Sequence, residues 1–341
     1  MLYTRHKLDR AGDALIGSDP FLRKEAVAIV QQWRDTHLFV MQELDKQIVQ
    51  LFSDTNTHYA FSSMRIKRMT SIEEKLRNNA AKRTKLGGLQ DIGGLRFVFS
   101  SIEELDAVKE VLDKFTPSKF SLKRSYDYVV HPKDSGYRSI HYVYQYRSEN
   151  ETYNGLSVEL QIRTRLQHSW AMAVETASLI SNTTLKADMD NAQEWRGFFK
   201  LVSALFSREE NKPVLAMYDG CTTKELCDAY FRYKELKLVE QFKALRVTVN
   251  SDLDEDERGY CVLTIDFVRH IVHAKVYPSA DYKKATEMFS EIETTINEDE
   301  AALMVAIDKI REIKEAYPSY FLDTKSFLEY LYEFDEKCAL L

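Results

Sequence analysis

The chain has 341 residues, of which 44% are hydrophobic and 29% charged, and it carries a net charge of −6. This composition is typical of an ordered, helix-rich protein of about two domains, and it excludes a fibrous or largely disordered chain. No stretch approaches the ~20 apolar residues of a membrane helix, and the N-terminal residues lack the apolar core of a secretory signal, so we expect a cytoplasmic protein that does not contact membranes.

The first predicted elements are helices. Residues 21–53 place apolar side chains at roughly helical intervals, which predicts one or two amphipathic helices. A further helix is predicted to begin near Thr70 or Ser71, because acidic residues follow in its first turn, where the helix dipole favours them. The glycine pair at 87–88 then interrupts the chain.

The next elements alternate between strands and helices. Strands are predicted over residues 95–99, 139–147 and 156–164, and a helix over 102–114. Residues 165–245 have an almost wholly helical pattern. These patterns predict a first domain over residues 1–240, built as a mixed sheet with helices before and after it.

The pattern changes after an acidic stretch at 251–258, which is predicted to be a solvated loop. The predicted strands beyond it are 260–267, 271–277 and 301–307, and the predicted helices are 281–297, 308–316 and 323–336. We therefore predict a small α+β domain over residues 241–341, and an α+β fold class for the whole chain.

Cysteine spacing gives no sign of a metal site. Cys221, Cys227, Cys261 and Cys338 are widely separated and include no CxxC pair. This spacing favours neither zinc binding nor a disulfide framework, so we expect unpaired thiols.

Positive charge is concentrated in one segment of this acidic chain. Residues 65–96 hold nine Lys or Arg and three acidic residues. Such a local field suits a phosphate-rich ligand, although a solvated basic helix face is the alternative. Candidate polyphosphate ligands are Arg65 and Lys67 on one face of an extended segment, and Ser71 and Lys75 one turn apart at the helix start.

Two acidic residues lie in or beside predicted strands. Asp91 precedes a strand, and Glu159 lies within another strand among apolar neighbours, where an acid is costly unless it is paired or binds a metal. Two carboxylates from adjacent strands suit Mg²⁺, which takes one or two carboxylates together with phosphate oxygens and water. The alternative is a structural ion pair of Glu159 with Arg163 or Arg138.

The segment 134–141 combines a glycine, an aromatic residue and basic residues. Gly136 allows close approach of a ligand, and Tyr137 can then stack on a nucleobase, which is worth ~1–3 kcal/mol; a core tyrosine is the alternative. His141, Arg138 and Arg163 could bind phosphate or be half-buried structural residues. Together with Asp91 and Glu159, the segment predicts metal-assisted transfer of a phosphate-containing group.

Five ordered motifs carry a family resemblance. Residues 65–76, 91–96, 127–128, 132–141 and 159–164 together resemble the synthetase domain of the RelA/SpoT family. That family transfers the β,γ-pyrophosphate of ATP to a ribose 3′-hydroxyl, and the resemblance implies a nucleotidyltransferase-like mixed sheet. We expect no hydrolase domain with an HD metal motif upstream of these motifs.

The resemblance implies a role for each motif residue. Arg65 would clamp ATP, while Lys67, Ser71 and Lys75 would hold its phosphates. Asp91 and Glu159 would be the catalytic pair and would carry Mg²⁺. Glu159 would also help to deprotonate the attacking hydroxyl. Tyr137 would stack on the base of the acceptor, whose other expected contacts are Arg138, His141, Gln161 and Arg163.

The chain also departs from the alarmone-making members of that family. Ser135 stands where they have Asn, and Glu175-Thr176 stands where they have a Glu-His pair that is followed later by Tyr-Lys. These departures weaken the case for a guanine nucleotide as acceptor and leave the chemistry on ATP intact.

The C-terminal part resembles the zinc-finger-like domain, without zinc ligands, of CapRel-type fused toxin–antitoxin proteins. Tyr317 and Tyr320 form a Tyr-x-x-Tyr motif there. The resemblance implies that these tyrosines enter the adenine site and regulate it; two core aromatics beside a proline are the alternative.

The preferred hypothesis is a defence enzyme that pyrophosphorylates the 3′-hydroxyl of the tRNA CCA end and so blocks aminoacylation. Its C-terminal domain would restrain it, and a phage protein, by expectation a capsid protein, would release it. The expected tRNA surface is Arg77, Lys82, Arg83 and Lys85, and a monomer is favoured. The alternatives are a small alarmone synthetase that uses GDP or GTP, and a catalytically inactive nucleotide-binding regulator, against which the intact Asp91 and Glu159 argue.

Overall fold

The computed structural model describes residues 3–78, 84–184, 189–235, 248–250, 259–266, 271–296, 300–307 and 325–340. Its strands are β1 (Phe61–Ile66), β2 (Gly93–Phe99), β3 (Phe120–Asp127), β4 (Ile140–Tyr146), β5 (Ser157–Thr164), β6 (Thr248–Asn250), β7 (Gly259–Asp266), β8 (Ile271–Pro278) and β9 (Glu300–Ile307). Its α-helices are α1 (Arg5–Leu15), α2 (Pro20–Asp54), α3 (Met69–Asn78), α4 (Ile102–Lys114), α5 (Arg165–Thr184), α6 (Met189–Glu209), α7 (Thr223–Glu235), α8 (Tyr282–Thr295) and α9 (Lys325–Ala339).

The helical stretch predicted at residues 21–53 is one long helix, α2, and it follows the short helix α1, which was not predicted. Helix α2 begins after Asp19, whose Oδ1 accepts hydrogen bonds from the amides of Phe21 and Leu22, and Pro20 occupies its first turn. Its buried apolar side chains belong to the same core cluster as apolar residues of β2, β4 and β5. The helix therefore covers one face of the sheet, as predicted.

The strands form one mixed sheet in the order β3-β4-β5-β2-β1-β9-β7-β8-β6. Strand β2 runs parallel to β5, and β4 runs antiparallel to both β3 and β5. Along β4, Ile140, Tyr142, Tyr144 and Tyr146 are buried in the core, as the alternation predicts. The polar side chains between them face the opposite side of the sheet, where the candidate site lies. The α+β fold class is therefore confirmed.

Strand β3 was not predicted from the sequence. Half of its residues are exposed, and it contains Leu122, Lys123, Arg124 and Ser125 in succession, so it lacks the apolar alternation that marks a half-buried strand. The strand forms because its backbone pairs antiparallel with β4, and the local sequence does not predict that pairing.

The sheet continues across the predicted domain boundary at residues 240–241. Strand β9 pairs with β7 and also with β1, through Met64 with Ala306 and Arg65 with Val305. The division into two domains stays a prediction. The strands β7 and β8 and the helices α8 and α9 lie where the sequence predicts them, and the predicted helix over 308–316 lies outside the described residues.

A second core joins helices α5, α6, α7 and α9. Phe327, Leu331 and Phe334 of α9 pack into the same cluster as Trp170 and Phe199. The prediction of unpaired cysteines is wrong here, because a disulfide joins Cys227 to Cys338, whose Cα atoms are 5.4 Å apart. The two residues are 111 positions apart in sequence, so only the packing of α9 on α7 reveals the pair. Cys221 and Cys261 are free thiols.

None of the helices described is both long and apolar enough to cross a bilayer.

Candidate active site

A cleft of about 1200 Å³ is lined by the residues of β2, β4 and β5 that alternate with the core residues, and also by Trp33 and His37 of α2. A smaller cavity of about 70 Å³ lies within the same region. Both cavities are lined by four of the predicted site residues, which are Arg65, Asp91, Glu159 and Gln161. The structure therefore brings together residues that lie almost a hundred positions apart in sequence.

Asp91 and two lysines form the first cluster of the site. Lys75 Nζ donates to Asp91 Oδ2 at 2.6 Å, and Lys67 Nζ donates to the same oxygen at 3.1 Å. The backbone amide of Lys67 also donates to the carbonyl of Ile92 at 2.8 Å, which fixes the end of β1 beside Asp91. Burial opposes ionisation of Asp91, but the ammonium groups of Lys67 and Lys75 outweigh it and lower its pKa to about 2.

Glu159 lies in a second cluster on the floor of the sheet. Its Oε1 is 3.0 Å from His141 Nδ1, and its Oε2 accepts from Gln161 Nε2 at 2.5 Å. Burial would raise the pKa of Glu159, but the hydrogen bond and charge of His141, with the hydrogen bond from Gln161, lower it below its ordinary value. The predicted alternative of an ion pair with Arg163 or Arg138 is therefore not what the structure contains.

Tyr137 extends this cluster towards the mouth of the cleft. Its hydroxyl lies 2.9 Å from His141 Nε2, and its half-buried ring meets the His141 ring edge-on. The imidazole is thus held between a phenol and a carboxylate, with Nδ1 facing Glu159 and Nε2 facing the Tyr137 hydroxyl. This arrangement gives Glu159 a fixed, ionised carboxylate on the cleft floor.

Gly136 is necessary for the position of this loop. Its φ of +92° is in the left-handed region, and a Cβ there would lie 3.0 Å from both Ser203 and Trp170. Ser203 Oγ donates to the Gly136 carbonyl at 2.6 Å. The loop that carries Tyr137 is therefore fixed against α5 and α6.

The two carboxylates fit a divalent cation such as Mg²⁺. Among the described residues, no hydrogen-bond partner reaches the buried Oδ1 of Asp91. Asp91 and Glu159 line the same small cavity, so one cation there could contact both carboxylates. Mg²⁺ needs only one or two carboxylates when phosphate oxygens and water complete its shell. No group of three or more His, Cys, Asp or Glu side chains suited to a metal occurs in the described part of the chain, so an all-protein metal cage is not present there.

The remaining predicted ATP ligands differ in position. Arg65 lines the cleft, and its Nη1 donates to Glu175 Oε1 at 3.4 Å. Lys75 and Lys67 reach the site through Asp91. Ser71 lies on α3 outside the lining of both cavities, so its predicted phosphate contact has no support from this geometry.

Two predicted acceptor residues are buried. Arg138 is ion-paired with Glu210 and does not line either cavity, so its predicted contact with the acceptor has no support from this geometry. Its partner Glu210 lies directly after α6, and this carboxylate compensates the charge of Arg138. Arg163 does line the cleft; its Nη2 lies 2.6 Å from His168 Nδ1, and burial and the nearby Arg96 lower its pKa to about 9.

The predicted tRNA surface is only partly described. Arg77 is exposed and paired with Glu73, and Lys85 is exposed, paired with Asp13, and lies at the rim of the large cleft. Lys82 and Arg83 lie outside the described residues, as do the predicted regulatory residues Tyr317 and Tyr320.

The sequence did not assign several residues that line the cleft. They are Arg96, Arg124, Tyr126, Tyr128, Lys133 and Glu175. Tyr128 and Lys133 lie inside recognised motifs without an assigned role. Arg124 and Tyr126 lie on the unpredicted strand β3, where their two-residue spacing is the only signal in the sequence.

The chain has an α+β fold with a cleft that brings two carboxylates close to lysine and arginine side chains, and part of the chain is similar to a known family. Residues 64–180 match the region found in RelA / SpoT proteins. The GTP pyrophosphokinase YjbM of Bacillus subtilis (strain 168) is 34% identical over 123 residues, which cover 35% of this chain and 56% of that protein. The chain therefore spans little more than half the length of this curated relative.

Solved structures of related proteins are also similar. Small alarmone synthetase 1 of Bacillus subtilis, bound to its product pppGpp, is 26% identical with a TM-score of 0.43, covering 55% of this chain and 94% of that one. A GTP pyrophosphokinase family protein of Streptococcus pneumoniae is 25% identical with a TM-score of 0.41, covering 52% of this chain and 87% of that one. The family match and the curated relative support the RelA/SpoT synthetase family for residues 64–180, and their names agree with the predicted enzyme class. The CapRel-like fusion stays a prediction.

Proposed function

We propose that this chain is an ATP-dependent pyrophosphokinase that transfers pyrophosphate to the 3′-hydroxyl of the tRNA CCA end. The observation that carries the proposal is that two ionised carboxylates lie in one cleft, each in contact with basic side chains. Asp91 contacts Lys67 and Lys75, and Glu159 contacts His141. A polyphosphate needs cations and a metal on one side, and an attacking hydroxyl needs a proton acceptor on the other.

In the proposed reaction, the 3′-oxygen of the acceptor attacks the β-phosphorus of ATP. The bond from the β-phosphorus to the oxygen that bridges the α- and β-phosphates breaks, and AMP leaves with that oxygen. Glu159 accepts the hydroxyl proton, and its lowered pKa keeps it available as a carboxylate. Bound Mg²⁺ would neutralise charge on the transferred phosphates.

Each wall of the cleft then has a role. Lys67, Lys75 and Arg65 hold ATP, with Asp91 orienting both lysines through their shared contact at Oδ2. Tyr137 stacks on the terminal base of the acceptor, and its hydroxyl contact with His141 links base binding to the orientation of the imidazole beside Glu159.

A second candidate is a small alarmone synthetase that uses GDP or GTP as acceptor. The names of the relatives favour it, since the 34% identical protein is a GTP pyrophosphokinase. Ser135 and Thr176 are the sequence departures that favour tRNA instead.

The two candidates are separated by incubating the protein with ATP labelled at the γ-phosphate and either deacylated tRNA or GDP. We expect label in tRNA and none in the guanine nucleotide. Periodate-oxidised tRNA, which lacks the 3′-hydroxyl, is the matched control and should stay unlabelled. Label in GDP alone would replace the first candidate by the second, and label in neither would contradict both. Charge reversal of Lys82 and Arg83 should reduce tRNA labelling, most strongly at low salt, and should spare ATP binding.

We also propose that the C-terminal part restrains the site. Strand β9 pairs with β1 at Arg65, and Glu293 of α8 accepts from the amide of Met69 at the start of α3, so the C-terminal part contacts both elements that carry ATP ligands. Replacing Tyr317 and Tyr320 together by alanine should change the KM for ATP. Purified phage capsid protein should raise transfer to tRNA if the capsid trigger is correct; an unchanged rate would contradict it.

A further inference from the structure

A row of polar and aromatic side chains crosses the cleft floor to the edge of the sheet. Arg96 on β2 is in register with Gln161 on β5, Gln161 with His141 on β4, and His141 with Tyr126 on β3. All four residues line the large cleft. Strand β3 ends the sheet order, so this floor continues from Gln161 and His141, which contact Glu159, to the edge of the sheet.

Aromatic rings continue from Tyr137 along this row. The rings of Tyr128 and Tyr137 meet at 6.2 Å with an interplanar angle of 65°. The ring of Tyr126 lies parallel to that of Tyr128, with centroids 5.6 Å apart and an angle of 4°. Tyr126 and Tyr128 are half-buried, and the proposed transfer to a terminal nucleotide uses neither of them.

Two cations are interleaved with these rings. Lys133 Nζ lies 4.3 Å from the centre of the Tyr128 ring and 5.0 Å from that of Tyr137. Arg124 Nη1 donates to the Tyr126 hydroxyl at 3.3 Å. Both basic side chains are exposed, so their charges can meet phosphate groups from solvent. Rings that accept bases beside cations that follow a backbone are the usual composition of a single-stranded nucleic acid surface.

We propose that Arg124, Tyr126, Tyr128 and Lys133 form a second nucleotide subsite, which binds the unpaired nucleotides that precede the acceptor ribose of an RNA 3′ end. The proposal rests on the proposed pyrophosphate transfer and deepens it. A mononucleotide acceptor would occupy only the position at Tyr137, whereas a single strand would continue over β3. The subsite therefore selects polynucleotide acceptors by length.

The experiment compares three acceptors in transfer from γ-labelled ATP: adenosine 5′-monophosphate, the dinucleotide CpA and the tetranucleotide ACCA. In the parent protein, kcat/KM for the acceptor should rise by about five- to 150-fold as stacking nucleotides are added. Tyr126→Ala and Arg124→Ala should remove most of that gain, while Tyr126→Phe should keep it because the ring is retained. Tyr332→Ala, which changes an exposed tyrosine on α9, is the matched control and should behave as the parent.

The outcomes separate this proposal from the one on which it rests. No transfer to any of the RNA acceptors or to tRNA would contradict the proposed function. Transfer that is independent of acceptor length, or a length dependence that Tyr126→Ala leaves intact, would overturn the subsite alone. The KM for ATP and thermal unfolding of each variant, measured in parallel, distinguish a lost acceptor contact from a damaged fold, and a fall in both acceptor gain and ATP affinity would count against the subsite.

Discussion

His141 and Glu159 are joined across strands β4 and β5 by a hydrogen bond of 3.0 Å between Nδ1 and Oε1. The other ring nitrogen of His141 lies 2.9 Å from the hydroxyl of Tyr137. The imidazole is held at both ends, and the carboxylate that it contacts has a lowered pKa. The acidity of the proposed base therefore depends on a residue that need not touch ATP.

We expect His141→Ala to shift the acidic limb of the kcat/KM profile to higher pH. Burial raises the pKa of Glu159, and the contact with His141 is the largest one that lowers it. Without His141 the carboxylate is therefore protonated at a higher pH, and activity is lost at a higher pH on acidification. A loss of rate of about 10²-fold at neutral pH is expected in addition. Tyr137→Phe, which leaves the contact with Glu159 in place, should keep the limb of the parent; an unshifted limb in His141→Ala would count against the assignment of Glu159 as base.

We expect Asp91→Asn to reduce transfer by at least about 10²-fold. The amide cannot hold two ammonium groups or a divalent cation as the carboxylate does, so Lys67 and Lys75 lose their common partner. Transfer from labelled ATP measures the loss. Wild-type turnover in this variant would contradict the roles given to Asp91.

The same substitution should change the dependence of stability on pH. The pKa of Asp91 is lowered from 3.8 to about 2, so its ion pairs stabilise the folded state above pH 4, and that stability is lost as the pH falls towards 2. Asp91→Asn should be less stable than the parent at pH 7 by about 2 kcal/mol, with the difference shrinking below pH 4. Chemical denaturation at several pH values measures it, and a difference that does not vary with pH would refute the assigned cause.

Arg138 should act on stability rather than on acceptor binding. It is buried and paired with Glu210, and removing one member of such a pair costs about 3–5 kcal/mol. Arg138→Met should therefore lower the free energy of unfolding while sparing the acceptor KM of the protein that remains folded. Lys337→Ala, which breaks an exposed pair with Glu209, should cost about 0–1 kcal/mol. A raised acceptor KM with unchanged stability would restore the sequence-based role of Arg138.

The Cys227–Cys338 disulfide should stabilise the helical part of the chain. It closes a loop of 111 residues and ties α9 to α7, and a bond of this kind contributes about 2–4 kcal/mol. Cys338→Ser, or treatment of the parent with reductant, should lower the unfolding temperature. Cys221→Ser, which removes a free thiol, should leave the response to reductant unchanged; equal stability of oxidised and reduced parent would show that the bond adds nothing.

Asp35 should make the contact between α2 and α8 sensitive to pH. Burial, opposed in part by Arg34 and reinforced by Glu293, raises the pKa of Asp35 to about 6. Stability should therefore fall as the pH rises from 4 to 6, because the folded state retains a proton that the unfolded chain releases. Asp35→Asn should remove this dependence and raise stability at pH 8 by about 1–2 kcal/mol after allowance for partial exposure. A parent whose stability is flat over that range would contradict it.

The sequence by itself determined the elements that have strong periodicity and the residues that form compact motifs. Helix α4 and strands β2, β4 and β5 follow directly from local patterns, since apolar alternation and helix spacing act over a few residues. Asp91, Glu159, Lys67 and Tyr137 were identified because each sits in a short segment with an unusual combination of residue types.

Only the tertiary structure decided which of these side chains meet. Arg138 and Arg163 both lie in or beside predicted strands and were given the same predicted role. Arg138 is paired with Glu210, whereas Arg163 lines the cleft. Likewise, Cys227 and Cys338, and Tyr126 and His141, become neighbours through helix packing and strand pairing. Contacts of this kind depend on packing between segments distant in sequence, and local propensity carries no information about them.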